Sequence, residues 1–115
     1  MAIIEPLAST VLTTDSTYQS GAVTLLSVST LQVGGVYYPL ASVIVTNKSA
    51  TTANFSIWVD SATLTDCFLA YNLSISGYNT YETFRFSMKP TDVLKVAGNT
   101  DLAFYVNGIL QEEIV

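Results

Sequence analysis

The chain has no histidine and a single cysteine, Cys67, among its 115 residues. Without histidine it lacks the commonest general base, the commonest transition-metal ligand and the usual pH switch. One cysteine rules out an intrachain disulfide and a cysteine-built zinc site. The lone thiol is expected as a small buried hydrophobe rather than a nucleophile. Charge is equally scarce. Asp, Glu, Lys and Arg make up 11% of the residues, against ~25% in ordinary soluble domains. Only four residues are basic and the net charge is −5. Four scattered cations form no phosphate-binding stripe, so nucleic acid is not an expected partner. No apolar run reaches the ~18 residues of a spanning helix, and no membrane role is expected. The opening Met1-Ala2-Ile3-Ile4-Glu5-Pro6 also lacks the basic n-region and apolar stretch of a signal peptide.

Half of the residues are hydrophobic, enough for one packed core without staples, and the length suits one domain. The polar surface must be Ser, Thr, Asn, Gln and Tyr. A neutral, hydroxyl-rich skin with aromatics suits contact with other proteins. Three Asn-x-Ser sequons begin at Asn47, Asn54 and Asn72; they read as by-products of this composition.

Period-two alternation runs through the chain, and helical periodicity never persists. Phe84, Phe86 and Met88 alternate with Arg85 and Ser87; Phe55, Ile57 and Val59 with Ser56 and Trp58; Leu102, Phe104 and Val106 with Ala103 and Tyr105. Leu40 to Val45 and Phe68 to Leu73 are apolar on nearly both faces, as in strands covered on both sides. Turn signals at Gly34-Gly35, Asn47 to Thr52, Ser76 to Asn79, Lys89 to Asp92 and Gly98 to Asp101 separate the runs. Strands are expected near 9–14, 21–29, 40–47, 53–60, 64–74, 81–88, 93–97 and 102–109. About seven to eight short strands without intervening helices specify an all-β fold, an antiparallel β-sandwich of jelly-roll or immunoglobulin-like type. The sandwich is expected over 13–110, with an N-terminal arm at 1–12 and a C-terminal tail at 111–115.

No constellation of side chains points to catalysis, and no metal or cofactor is expected. Asp60 and Asp66 flank a Thr-rich segment but lack the dense oxygen pattern of a calcium loop. They read as solvated turn carboxylates. Lys89 and Lys95 flank Asp92 and read as edge charges that discourage sheet-to-sheet aggregation.

Val43-Ile44-Val45-Thr46-Asn47 leads through a Ser/Thr/Ala loop to Asn54-Phe55-Ser56-Ile57-Trp58-Val59. Later, Met88-Lys89-Pro90-Thr91-Asp92-Val93-Leu94-Lys95-Val96 precedes a strand ending Asn107-Gly108-Ile109. Over roughly residues 40 to 110 this order resembles a group of small β-sandwich virion proteins of tailed bacteriophages, including those of cyanobacterial hosts. Thr91 stands where that group has Gly, so a type I turn fits better than a type II turn. The resemblance implies a non-enzymatic viral structural protein of the virion, made in the host cytoplasm. It would be a capsid decoration or cement protein, or a head–tail accessory. The implied partners are capsid or other virion proteins and further copies of the chain, as a dimer or trimer. The alternative is a carbohydrate- or receptor-binding module of a tail fibre.

Interface residues follow from alternation and aromatic placement. If Phe55, Ile57, Phe84, Phe104 and Val106 face inward, then Ile44, Trp58, Arg85 and Tyr105 face outward. An outward Trp, Tyr, Arg and Ile is the make-up of an interface centre. Tyr37 and Tyr38 beside the glycines, and Ile3 and Ile4 in the arm, complete the expected contact set.

Overall fold

A computed structural model describes residues 5–61 and 67–112. Among these residues nine strands follow one another: β1 (Glu5–Val11), β2 (Val23–Ser27), β3 (Tyr37–Asn47), β4 (Ala53–Asp60), β5 (Cys67–Ile75), β6 (Thr80–Glu82), β7 (Phe86–Ser87), β8 (Val93–Gly98) and β9 (Leu102–Glu112). Among the described residues the helical content is one 3-10 turn, Val28–Leu31. All strand pairs are antiparallel. One sheet has the order β1-β9-β3-β6, with β7 also on β3; the other has the order β2-β8-β4-β5. The all-β antiparallel sandwich expected from the alternation is therefore the fold, with the expected strand near 81–88 divided into β6 and β7.

The inward residues of the two sheets meet in one core. Val43, Val45, Phe104 and Val106 come from the first sheet, and Phe55, Ile57, Leu94 and Val96 from the second. Burying each such side chain contributes roughly 1.5–3 kcal/mol before entropy is counted. At Gly108, a Cβ would run into the carbonyl of Leu40 and the Cα of Ala41. Only glycine lets β9 lie this close to β3 there.

At one end of the sandwich, four connections are stitched together by side chains. Asn47 is fully buried. Its carboxamide nitrogen donates to the carbonyls of Thr51 (2.8 Å) and Ile75 (3.1 Å), and its oxygen accepts from the Ser49 amide (3.0 Å). The Asp15 carboxylate accepts from the Thr100 amide at 2.8 Å. At the opposite end, the Lys89–Asp92 turn closes on a 3.0 Å bond from the Asp92 amide to the Lys89 carbonyl. Thr91 does not adopt positive φ there, consistent with a type I turn. Asp92 is buried, and its carboxylate accepts from the Lys89 amide at 2.9 Å.

Several expectations need correcting. The arm drawn over 1–12 is, from Glu5 to Val11, strand β1 on β9, and Leu12 lies in the core. Pro6 and a register shift between Pro6 and Ala8 interrupt the alternation, which hid this edge strand. The tail drawn over 111–115 begins inside β9, where Gln111 pairs with Tyr38 and Glu112 with Tyr37. Phe84 is not a core residue but 95% exposed, because Thr83 takes the inward position. Cys67 is exposed, not buried. Lys95 is no edge charge: β8 lies between β2 and β4, and Lys95 forms a 3.5 Å ion pair with Asp60. Asp66 lies outside the described residues.

Candidate interaction surface

The outer face of the five-stranded sheet brings two of the expected contact residues together. Ile44 on β3 pairs directly with Tyr105 on β9. Ile44 is half-buried, Tyr105 is 39% exposed, and Val11 nearby on β1 is 45% exposed. With Ser9, Thr46 and Ala103 they border a shallow hollow of about 420 Å3. From Tyr38 to Thr46 on β3, and from Ala103 to Gln111 on β9, the outward positions carry no charged side chain. One polar contact crosses them, the Ser42 hydroxyl donating to the Asn107 side-chain oxygen at 2.8 Å. Glu82 on β6, exposed and paired with Ile44, is the charged group that borders this stretch.

Trp58 does not join that face. It lies on β4, in the other sheet, and is 2% exposed. Alternation does turn it away from the Phe55–Ile57–Val59 side, but a second layer covers it. Tyr18, from the segment between β1 and β2, packs edge-on against Trp58 with ring centroids 6.3 Å apart. Phe68 lies 5.7 Å from Trp58 and 4.8 Å from Tyr71. The indole N–H donates to Asp60 at 3.3 Å. Solvent exposure of Trp58 was thus the wrong expectation. The run from Phe68 to Leu73, expected to be covered on both sides, is covered only in part: Phe68 lies in this layer, whereas Tyr71 and Leu73 on the edge strand β5 stay exposed.

The other expected contact residues are dispersed. Arg85 is exposed at the break between β6 and β7, on the sheet edge beside Phe84. Tyr37 and Tyr38 are half-buried; the side chain of Gln32 holds the Tyr37 backbone, accepting from its amide at 2.7 Å and donating to its carbonyl at 2.9 Å. Val33, 78% exposed, is the more prominent apolar group of that end. Ile3 and Ile4 lie outside the described residues.

Sequence reasoning did not find a groove on the four-stranded sheet, beside the Tyr18 cover. It has a volume of about 340 Å3 and is lined by Ser16, Thr17, Tyr18 and Gln19 on one side and Tyr71 and Asn72 on another. Asn54, Ser56, Ala97 and Asn99 also line it. The register between β4 and β5 shifts between Phe55 and Ile57, and Asn72 at the shift has φ 46°. Asn tolerates this left-handed conformation better than most residues. Among the described residues no group of three or more Cys, Asp or Glu side chains is placed to hold a metal ion.

No protein-family model matches the sequence, and no curated protein matches it either. Among solved structures, the chain is similar to the coat protein of Tobacco streak virus, solved in a C2 crystal form at 2.1 Å. The TM-score is 0.52 at 8% identity, over 99% of this chain and 89% of that one. A second structure, the coat protein dimer of the same virus, gives a TM-score of 0.48 at 4% identity, over 99% and 90% of the two chains. Both are proteins of a plant virus and not of a tailed bacteriophage. At 8% identity, what this chain shares with the coat protein is the β-sandwich fold.

Proposed function

We propose that this chain is a non-enzymatic structural protein of a virion, of the capsid decoration or cement type, and that it works through protein contacts made by the outer face of its five-stranded sheet. The observation that carries this reading is the apolar patch around Ile44, Tyr105 and Val11, uncharged along the outward positions of β3 and β9 and bordered by Glu82. Exposed apolar groups gathered on one face with little charge favour association with another protein surface. The fold shared with a viral coat protein supports the same class of role. Strand order supports a jelly roll over an immunoglobulin-like sandwich. β1 and β2, and again β3 and β4, fall in opposite sheets, whereas immunoglobulin-type strands A and B share one sheet.

The patch is modest. Three strands of up to 11 residues present a face on the order of 500 Å2, short of the ~800 Å2 per partner of a standard interface. A single contact of that size is weak. Many copies on a lattice, associated as dimers or trimers, multiply it by effective concentration. The test is the double variant Ile44→Lys/Tyr105→Lys. Its circular dichroism should match the parent, while its mass in light scattering falls to that of the monomer and its co-sedimentation with capsids is lost. Attachment and oligomeric state equal to the parent's would overturn the reading.

A further inference from the structure

We infer that the groove between Tyr18 and Tyr71, on the sheet opposite the proposed docking face, is a binding site for an uncharged saccharide. This goes beyond the structural role above and stands on different residues.

The first argument is chemical. Every residue lining the groove is neutral, and most carry a hydroxyl or a carboxamide. A phosphate, carboxylate or sulfate ligand would meet no cation there. A neutral sugar offers what such a lining matches: hydroxyls that both donate and accept, and a C–H face that packs on an aromatic ring. The volume of about 340 Å3 lies at the small end of small-molecule sites, the scale of a short saccharide segment rather than of a folded partner.

The second argument is preorganisation. The Asn99 side-chain oxygen accepts from the Asn54 amide at 2.7 Å, and the Asn54 side-chain oxygen accepts from the Ser74 hydroxyl at 2.9 Å. Both carboxamides are thereby fixed in plane, with their NH2 groups left for a ligand. The Ser56 hydroxyl accepts from the Asn72 amide at 2.8 Å and pins the bulge of β5. Tyr71 is 54% exposed, yet its ring is held edge-on by Phe68 and by Tyr18 at 5.5 Å. An aromatic ring that is locked but not covered costs little entropy on binding. Bulges commonly re-aim side chains at such positions.

Trp58 is the sole tryptophan and touches both Tyr18 and Phe68, so its emission reports on the groove. The full chain is titrated with the neutral hexasaccharides of the cello-, malto-, xylo- and chito- series, with hexagalacturonate as the charged control. At least one neutral oligosaccharide should shift Trp58 emission saturably, with a Kd of about 1 mM or tighter, and the charged control should not. Tyr71→Ala and Gln19→Ala should each weaken that binding while circular dichroism and melting stay near the parent's. Gln19 is exposed, which keeps the second variant informative if the first disturbs folding. Silence across the neutral series in both fluorescence and calorimetry overturns the inference, as does parental affinity in both variants. Equal binding of hexagalacturonate overturns the neutral class.

Discussion

Val43 and Thr83 exchange two hydrogen bonds: the Thr83 amide donates to the Val43 carbonyl at 3.0 Å, and the Val43 amide donates to the Thr83 hydroxyl at 2.9 Å. The hydroxyl stands in for a backbone carbonyl where the edge of the sheet breaks between β6 and β7. Val43 is fully buried, so its amide has no water to turn to. Thr83→Val keeps the shape and removes the acceptor. It should cost about 1–3 kcal/mol, the penalty of a buried unsatisfied donor, in urea unfolding. Thr83→Ser should recover most of the loss.

The same break sets apart two phenylalanines that look alike in sequence. Phe84 is 95% exposed and Phe104 1%. Phe84→Ser should change stability by no more than ~0.5 kcal/mol. Phe104→Ala should cost about 3–5 kcal/mol through lost burial and the cavity left behind. Equal effects in chemical denaturation would refute the assigned direction of this edge.

Trp58 offers a third contrast. A glutamate there would sit under Tyr18 and Phe68, beside the Asp60 carboxylate that the indole contacts at 3.3 Å. Trp58→Glu should therefore cost more than ~4 kcal/mol, the range reached by unpaired buried charges, and leave the chain largely unfolded by circular dichroism. Trp58→Phe should fold, losing only the Asp60 bond and part of the ring contact.

Much of this fold could be read from period two. Phe55, Ile57, Leu102, Phe104 and Val106 point inward as their spacing requires, and Ile44 and Tyr105 point outward beside each other. The failures share a cause. Alternation tells which side of a strand a residue takes, but not what covers that side. Trp58 faces away from the core and is still buried, since the loop carrying Tyr18 folds over it. Register shifts defeat the pattern locally, as at Pro6 in β1. At Phe84 a hydroxyl made the inward bond that a hydrophobe was expected to fill. The groove was invisible for a related reason: Tyr18, Asn54, Tyr71 and Asn99 come from four separate stretches of chain, two of them outside the strands, and only the finished fold brings them together.

The position of β9 has a consequence for how the chain acquires its fold. The strand that emerges last from the ribosome among those described is inserted between β1 and β3, pairing with both. Until it arrives, β1 has no partner in its own sheet and β3 leaves one edge open. Folding rates fall as contacts span longer stretches of chain, and open edges during the wait invite intermolecular pairing. Completion of the sandwich thus waits until β9 has been made. The concentration of nascent chains, more than the stability of the finished domain, should govern how much of it folds.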